Sequence, residues 1–361
     1  MAERFELRDQ AEAGGLLRAA LAEGPAHAYL FHGPPGVGKR TAALLFAAEV
    51  IGERDRVLRR THPDLYVLEP LGDQIRIDDV RALRRDLHLR PFEAHRRVYV
   101  VLEAELVNED AADALLKDLE EPPEHAVIVL VANEVGPLPE TIRSRCQPVP
   151  FRRLSERAVR DAVLERAREL APEQATALAR VAAGRLDRVD RLLDPAAAER
   201  RVALLAGARA VYRDPEFVPA EAAETVLAGA DARGAEAREA AREDVERLHL
   251  SGRDAEQRVR RAGRGAEREE ILLALEELAA WYRDLVAVAA GAAGVAVHAD
   301  RLAELGEDGT IERMAAAERA AEIVRETWRS FEEFNVQPRL ALEALFIRLR
   351  RELALAPAAA S

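Results

Sequence analysis

The chain has 361 residues, 33% of them charged and 4% aromatic, a formal net charge of −12 and a single cysteine, Cys146. A length of this order predicts about two or three domains, and the lone cysteine excludes an internal disulfide or a cysteine-built zinc site. The negative charge speaks against a protein that holds nucleic acid by itself through phosphate neutralisation.

From the N-terminus, Met1 to Gln10 carries Glu3, Glu6 and Asp9 and lacks an apolar signal core, so no export and a cytoplasmic location are expected. No apolar run approaches the roughly 18 residues that a membrane helix needs, so no membrane contact is expected. Up to about residue 150, short apolar runs alternate with amphipathic stretches, the pattern of a parallel sheet with crossover helices. The predicted strands are Ala28 to His32, Leu65 to Leu68, Val98 to Leu102 and Val127 to Ala132. Helices are predicted over Arg40 to Ile51, Ile77 to Leu89 and Glu109 to Glu121, the last stopped by Pro122 and Pro123. After Phe151 the strand signal ends. Ser155 caps a predicted helix, Pro172 starts another, and a helical unit runs to about Leu193. Past Pro195 the chain reads as helical through Leu340 to Leu349, then as a disordered Ala/Pro tail. Residues 231–270, nearly all Ala, Arg, Glu, Asp and Gly, predict a solvated, partly mobile helical stretch with little core. The expected fold is therefore an α/β P-loop domain with a parallel sheet over 1–150, a helical lid over 151–195, an all-α domain over 196–355 and a tail over 356–361.

Two local charge features stand out. Between Arg76 and Arg97 lie Arg81, Arg84, Arg85, Arg90 and Arg96 against few acids, which fits either a solvated helix face or a DNA-facing surface within an assembly. Only Lys39 and Lys117 are lysine among 53 basic residues, so a lysine kept at a motif position marks a place where arginine will not serve.

Lys39 is in such a motif. The apolar run Tyr29-Leu30-Phe31 leads into Gly33-Pro34-Pro35-Gly36-Val37-Gly38-Lys39-Arg40-Thr41 and then into an apolar helix. A glycine-rich turn between strand and helix aims backbone N–H groups at an anion, the helix N-terminus adds partial positive charge, and Lys39 reaches the outer phosphates. This predicts contacts to ATP or ADP from Gly33, Pro34, Gly36, Val37, Gly38, Lys39, Arg40 and Thr41. The magnesium-binding hydroxyl expected directly after the lysine is replaced by Arg40, and Thr41 lies about 100° further round the helix. The strand Val98-Tyr99-Val100-Val101 runs into Leu102-Glu103, with Leu102 where an aspartate would support the metal. Glu103 stands where a water-activating glutamate would be, or is simply an acid at a strand end. With both metal partners gone, magnesium is not expected in cis, and nucleotide, if bound, is expected not to be hydrolysed.

The sequence resembles the delta-prime type subunits of the bacterial DNA polymerase III clamp-loader family. The residues that carry the resemblance are Gln10, His27-Ala28-Tyr29-Leu30-Phe31, His62-Pro63-Asp64-Leu65, Arg76-Ile77-Asp78-Asp79-Val80-Arg81, Leu89-Arg90-Pro91-Phe92 and Asn108. They continue with Ala114-Leu115-Leu116-Lys117-Asp118-Leu119-Glu120-Glu121-Pro122-Pro123, Thr141-Ile142-Arg143-Ser144-Arg145-Cys146-Gln147 and Asn335-Val336-Gln337-Pro338-Arg339-Leu340-Ala341-Leu342-Glu343. Between 195 and 330 only helical composition agrees. The resemblance implies an AAA-type domain, a lid and a collar joining a five-subunit ring with gamma/tau and delta partners, and a sliding clamp and primed DNA reached through that complex. It implies that Arg145, in Ser144-Arg145-Cys146, acts in trans as an arginine finger on a neighbour's ATP. Asn133 matches a γ-phosphate sensor or is a turn-forming asparagine, and Gly184-Arg185 matches a second sensor whose following Leu186-Asp187 departs from the family pattern. The four-cysteine zinc module of the ATP-hydrolysing subunits has no counterpart, so no zinc is expected. The expected role is a non-motor stator in clamp loading during DNA replication; the alternative is an active gamma/tau-like ATPase. Cys146 reads as a small packed residue.

Overall fold

The computed structural model describes residues 5–70, 74–247, 252–334 and 336–354. The chain divides into two compact units: the first runs through Ala162 and takes in Gly184–Asp187, and the second holds Val163–Ala183 and the chain from Arg188 on. The segment expected as a lid, 151–195, is thus shared between them. Asn335 of the C-terminal motif and the expected tail 356–361 lie outside the described residues.

In the first unit α1 (Ala11–Glu23) precedes β1 (Ala28–His32), and α2 (Lys39–Ile51) and α3 (Arg54–Leu58) lead to β2 (Leu65–Leu68). Then come α4 (Ile77–Leu87), β3 (Arg97–Val101), α5 (Glu109–Glu120), β4 (Ala126–Ala132), α6 (Glu140–Arg143) and β5 (Gln147–Pro150). All pairings are parallel and the strand order is β2-β3-β4-β1-β5. The α/β sheet predicted from the alternating pattern is present, with end shifts of one or two residues. β3 stops at Val101, so Leu102 begins the turn, and α4 stops at Leu87 where Leu89 was expected.

The side chains explain the layering. Because successive residues of a strand face opposite sides, Tyr29 and Phe31, Val98 and Val100, and Val127, Val129 and Val131 enter one core with Ala42, Phe46 and Ala47 of α2. Their neighbours Ala28 and Leu30, Tyr99 and Val101, and Ile128 and Leu130 enter the other, with Leu83 of α4 and Leu115 of α5. β4 is buried along its whole length. β5, absent from the sequence prediction, pairs Leu30 with Pro148 and His32 with Pro150. Proline lacks the ladder N–H and is tolerated at a sheet edge, which is where β5 lies.

Gln10, 5% exposed, stitches the N-terminal segment to the sheet edge: its Nε2 donates to Arg152 O at 2.7 Å and its Oε1 accepts the Arg152 N–H at 3.0 Å. Ser155 caps α7 (Glu156–Arg166) by accepting the Ala158 N–H at 3.2 Å.

The second unit is helical: α8 (Pro172–Ala182), α9 (Leu186–Leu193, whose first two residues belong to the first unit), α10 (Pro195–Arg213), α11 (Pro219–Arg247), α12 (Gly252–Ala289), α13 (Leu302–Asp308), α14 (Ile311–Glu333) and α15 (Pro338–Ala354). Leu275, Leu278, Trp281, Tyr282 and Leu285 of α12 form its core with Val324 of α14 and Phe346 and Leu349 of α15. Within the stretch 231–270, residues 231–247 end α11 and residues 252–270 are the first half of α12, where Ala241 and Glu270 are among the few buried side chains described. No helix among the described residues is long and apolar enough to cross a membrane.

Candidate functional site: the P-loop and its surroundings

The loop Gly33–Gly38 joins β1, second from the sheet edge, to α2. Its glycines are required by contact and by conformation. A Cβ on Gly33 would stand 2.2 Å from Phe151 O, and Gly36 has a φ of +71°, a left-handed backbone that side chains disfavour. Gly38, the N-cap of α2, is also left-handed. This loop leaves the first backbone N–H groups of α2 available to an anion.

Lys39 opens α2 and is 5% exposed. Its Nζ donates to Gly33 O at 2.7 Å, to Pro34 O at 2.5 Å and to Asn133 Oδ1 at 2.9 Å. Burial pulls the ammonium pKa down to about 8, while the carboxylates Glu105 and Asp187 oppose that fall and Arg185 adds to it. Asn133, just past the end of β4, faces the lysine with its side chain, and its own N–H is accepted by Glu105 Oε1 at 3.0 Å. Burial pushes the Glu105 carboxyl up, and its Oε2 has no hydrogen-bond partner among the described residues.

The sequence therefore pointed to the neighbouring acid. Glu103 is exposed and has a left-handed backbone with φ of +50°, and its field falls on Arg40. The one-turn 3-10 helix Ala104–Leu106 that follows brings Glu105 back to the loop instead. Two acids spaced by one residue were the only signal, and nothing in the sequence ranks them.

The residues expected to stand in place of metal ligands are equally defined. Arg40 is exposed and bonded through its guanidinium to Glu69, which also accepts Arg60 at 2.6 Å. Leu102 is 5% exposed and packs in the core beside Val100. Thr41 is exposed. A guanidinium held by a carboxylate and a buried leucine supply no oxygen ligand, so these residues do not fit a magnesium site.

Arg185 is 6% exposed, and its guanidinium is held by Asp187 at 2.7 and 3.2 Å. The Leu186 N–H donates to Gly36 O at 2.7 Å, which ties this segment to the P-loop. Asp187 and Glu105 are thus acids at the loop that the motif comparison did not select.

Arg145 follows the short α6 and is exposed; it donates to Thr141 O at 2.9 Å and to Glu120 at 2.5 Å. Cys146 beside it is buried, with its thiol pushed up to about 12, and packs with Ile142 and Leu138. In the basic stretch, Arg84 is not a free surface cation: it is bonded to Asp118, which is 2% exposed, while Arg81 and Arg85 are exposed on α4.

Residues 10–155 match the family model described as DNA polymerase III, delta subunit. Among curated relatives, the delta-prime subunit of Bacillus subtilis is 34% identical over 165 residues, which are 42% of this chain and 50% of that protein. The tau subunit of the same organism is 33% identical over 157 residues, 40% of this chain and 28% of that protein. The chain thus spans half or less of the length of these relatives. A crystal structure of a DNA polymerase III gamma subunit-related protein from Thermotoga maritima covers 95% of this chain and 99% of its own at 20% identity, with a TM-score of 0.44, a superposition too loose to add to the sequence match.

Proposed function

We propose, on the premise that residues 10–155 carry the α/β domain of the bacterial DNA polymerase III delta-type clamp-loader subunits, that this chain serves as a non-motor, delta-prime-like subunit of such a loader. The observation that carries this reading is the composition of the P-loop: the anion cradle and Lys39 are kept, while Arg40, engaged with Glu69, and Leu102, in the core, stand where metal ligands belong. In phosphoryl transfer the metal neutralises charge that builds between the β- and γ-phosphates. Without ligands for it, this chain holds ATP or ADP weakly at most and hydrolyses ATP at background rate. Its partners are gamma/tau- and delta-type subunits in a five-membered ring, and through them a sliding clamp and primed DNA.

In this role Arg145 acts on a neighbour's ATP. A fixed, exposed guanidinium stabilises charge on a γ-phosphate presented from outside, and arginine fingers of this kind are worth roughly 10³–10⁵ in rate. The test is ATP hydrolysis and clamp loading by the complex reconstituted with wild-type, Arg145→Ala or Arg145→Lys chains at matched assembly. Both variants should assemble and fold normally, because an exposed ion pair contributes about 0–1 kcal/mol. Both should lower the clamp-stimulated rate, lysine failing for want of the planar fork. Unchanged rates in both would overturn the finger, and failure to assemble with the partner subunits would overturn the loader role. The similarity to tau keeps one other reading, a motor subunit. Lys39-dependent turnover of about 1 per second by the isolated chain would favour it.

A further inference from the structure

We infer that Asp187 is a built-in competitor for the phosphate cradle, an anion of the chain's own placed against the P-loop so that nucleotide phosphate is excluded. The inference rests on the reading of Gly33–Lys39 as an anion site and adds the residue that regulates its occupancy.

The contact is close and specific. A Cβ on Gly36 would fall 1.7 Å from Asp187 Oδ1 and 2.5 Å from its Cγ, so the carboxylate rests directly on the middle glycine of the loop. Any other residue at 36 would force the two apart. The backbone fixes this placement. Leu186 N–H donates to Gly36 O at 2.7 Å, and Leu154 N–H donates to Gly184 O at 3.2 Å. Gly184 is itself left-handed (φ +82°) and so close to Leu154 that a Cβ would lie 2.8 Å from its carbonyl oxygen. The segment is therefore pinned at both ends of the Arg185-Leu186 step.

The electrostatics point the same way. Asp187 takes Arg185 through two guanidinium nitrogens, at 2.7 and 3.2 Å, and its negative charge also acts on Lys39. One carboxylate thus pairs with Arg185 and acts through its field on Lys39, the two cations suited to a polyphosphate. Carboxylate and phosphate compete for the same fork geometry of arginine, and two anions on one loop repel each other. A phosphate on the loop thus competes with Asp187 for Arg185.

The experiment is isothermal calorimetry with ATP and, separately, inorganic pyrophosphate, on the full chain without magnesium. It compares wild type, Asp187→Asn, Asp187→Ser and the double variant Asp187→Asn/Lys39→Ala, with melting temperatures as a check on folding. The asparagine keeps the shape and removes the charge; the serine removes both. Both single variants should bind ATP and pyrophosphate roughly ten- to a hundredfold more tightly than wild type, and the double variant should lose that gain. Lys39-dependent binding equal in wild type and both single variants would overturn the role of Asp187 and leave the anion site standing. Absence of binding in every protein would overturn both.

Discussion

Lys39 Nζ donates to Asn133 Oδ1 at 2.9 Å, which joins the first residue of the P-loop helix to the end of the central strand β4. With Glu105 accepting the Asn133 backbone N–H, Asn133 links Lys39 through its side chain and Glu105 through its main chain, from loop to sheet. Because burial holds the Lys39 pKa at about 8, its charge is present below that pH and lost above it. Anion affinity at the loop should therefore be flat toward neutrality and fall by up to roughly tenfold per pH unit above pH 8. Calorimetry with pyrophosphate on the wild-type chain across that range checks it, and a pH-independent affinity would contradict it; in Asp187→Asn the fall should begin at lower pH, because the Asp187 carboxylate helps to hold the Lys39 charge.

Asp64, fully buried, accepts the backbone N–H groups of Phe92 at 2.7 Å and of Glu93 and Ala94 at 2.8 Å. Burial pushes its carboxyl up, but these three bonds and Arg97 outweigh that and hold it below the ordinary aspartate range. Asp64→Ala leaves these donors without an acceptor and should lower stability by about 3–5 kcal/mol in urea unfolding. A group whose folded pKa is depressed stabilises above its unfolded value, near 4, and loses that contribution as pH falls through the folded value. Asp64→Asn, which turns donors toward donors, should also be destabilised at neutral pH and should show a shallower acid limb than wild type.

His298, fully buried in the second unit, sets Nδ1 at 2.8 Å from Asp284 Oδ2 and Nε2 at 3.2 Å from Glu277 Oε2 and donates to both when protonated, with Arg201 and Asp300 completing the charge cluster. Burial alone lowers the imidazole pKa; the hydrogen bonds to Asp284 and Glu277 reverse this and raise it. Glu277 is held down at about 2 against its own burial, chiefly by His298. Stability from a raised histidine is complete below about pH 6.5 and lost as pH rises through the folded value. Wild-type unfolding free energy should thus decline from pH 6.5 upward. His298→Gln should be destabilised by about 3–5 kcal/mol at pH 6, because the buried Asp284 carboxylate loses its cation while Glu277 keeps only its arginine partners. It should also lose that slope.

The pair of Arg84 and Asp118 separates structure from surface within the basic stretch of α4 and its flanks. Arg84→Ala strands a carboxylate that is 2% exposed, with His88 Nε2 3.4 Å away, and should lower stability by about 1–3 kcal/mol. Arg85→Ala, on the exposed side of the same helix, should change it by less than about 0.5 kcal/mol. Equal effects on the melting temperature would refute the distinction.

The sequence by itself determined the α/β sheet, the P-loop and the two residues, Arg40 and Leu102, on which the expectation of no cis magnesium rests. Each is written in local order: period-two apolar runs, glycines at fixed spacing, and the identities of residues 40 and 102. The tertiary structure alone decided which acids and bases meet. Glu69 on Arg40, Glu105 at Asn133 and Asp187 on Gly36 join residues 29, 28 and 151 positions apart, and periodicity carries no information across such separations. It also decided that Glu103 turns away while Glu105 turns in, because a left-handed residue and one 3-10 turn reset the direction of the chain after β3. β5 was hidden for a related reason. Two prolines weaken its intrinsic strand signal, and only pairing with β1 at the sheet edge, which asks little of the missing N–H groups, makes it a strand.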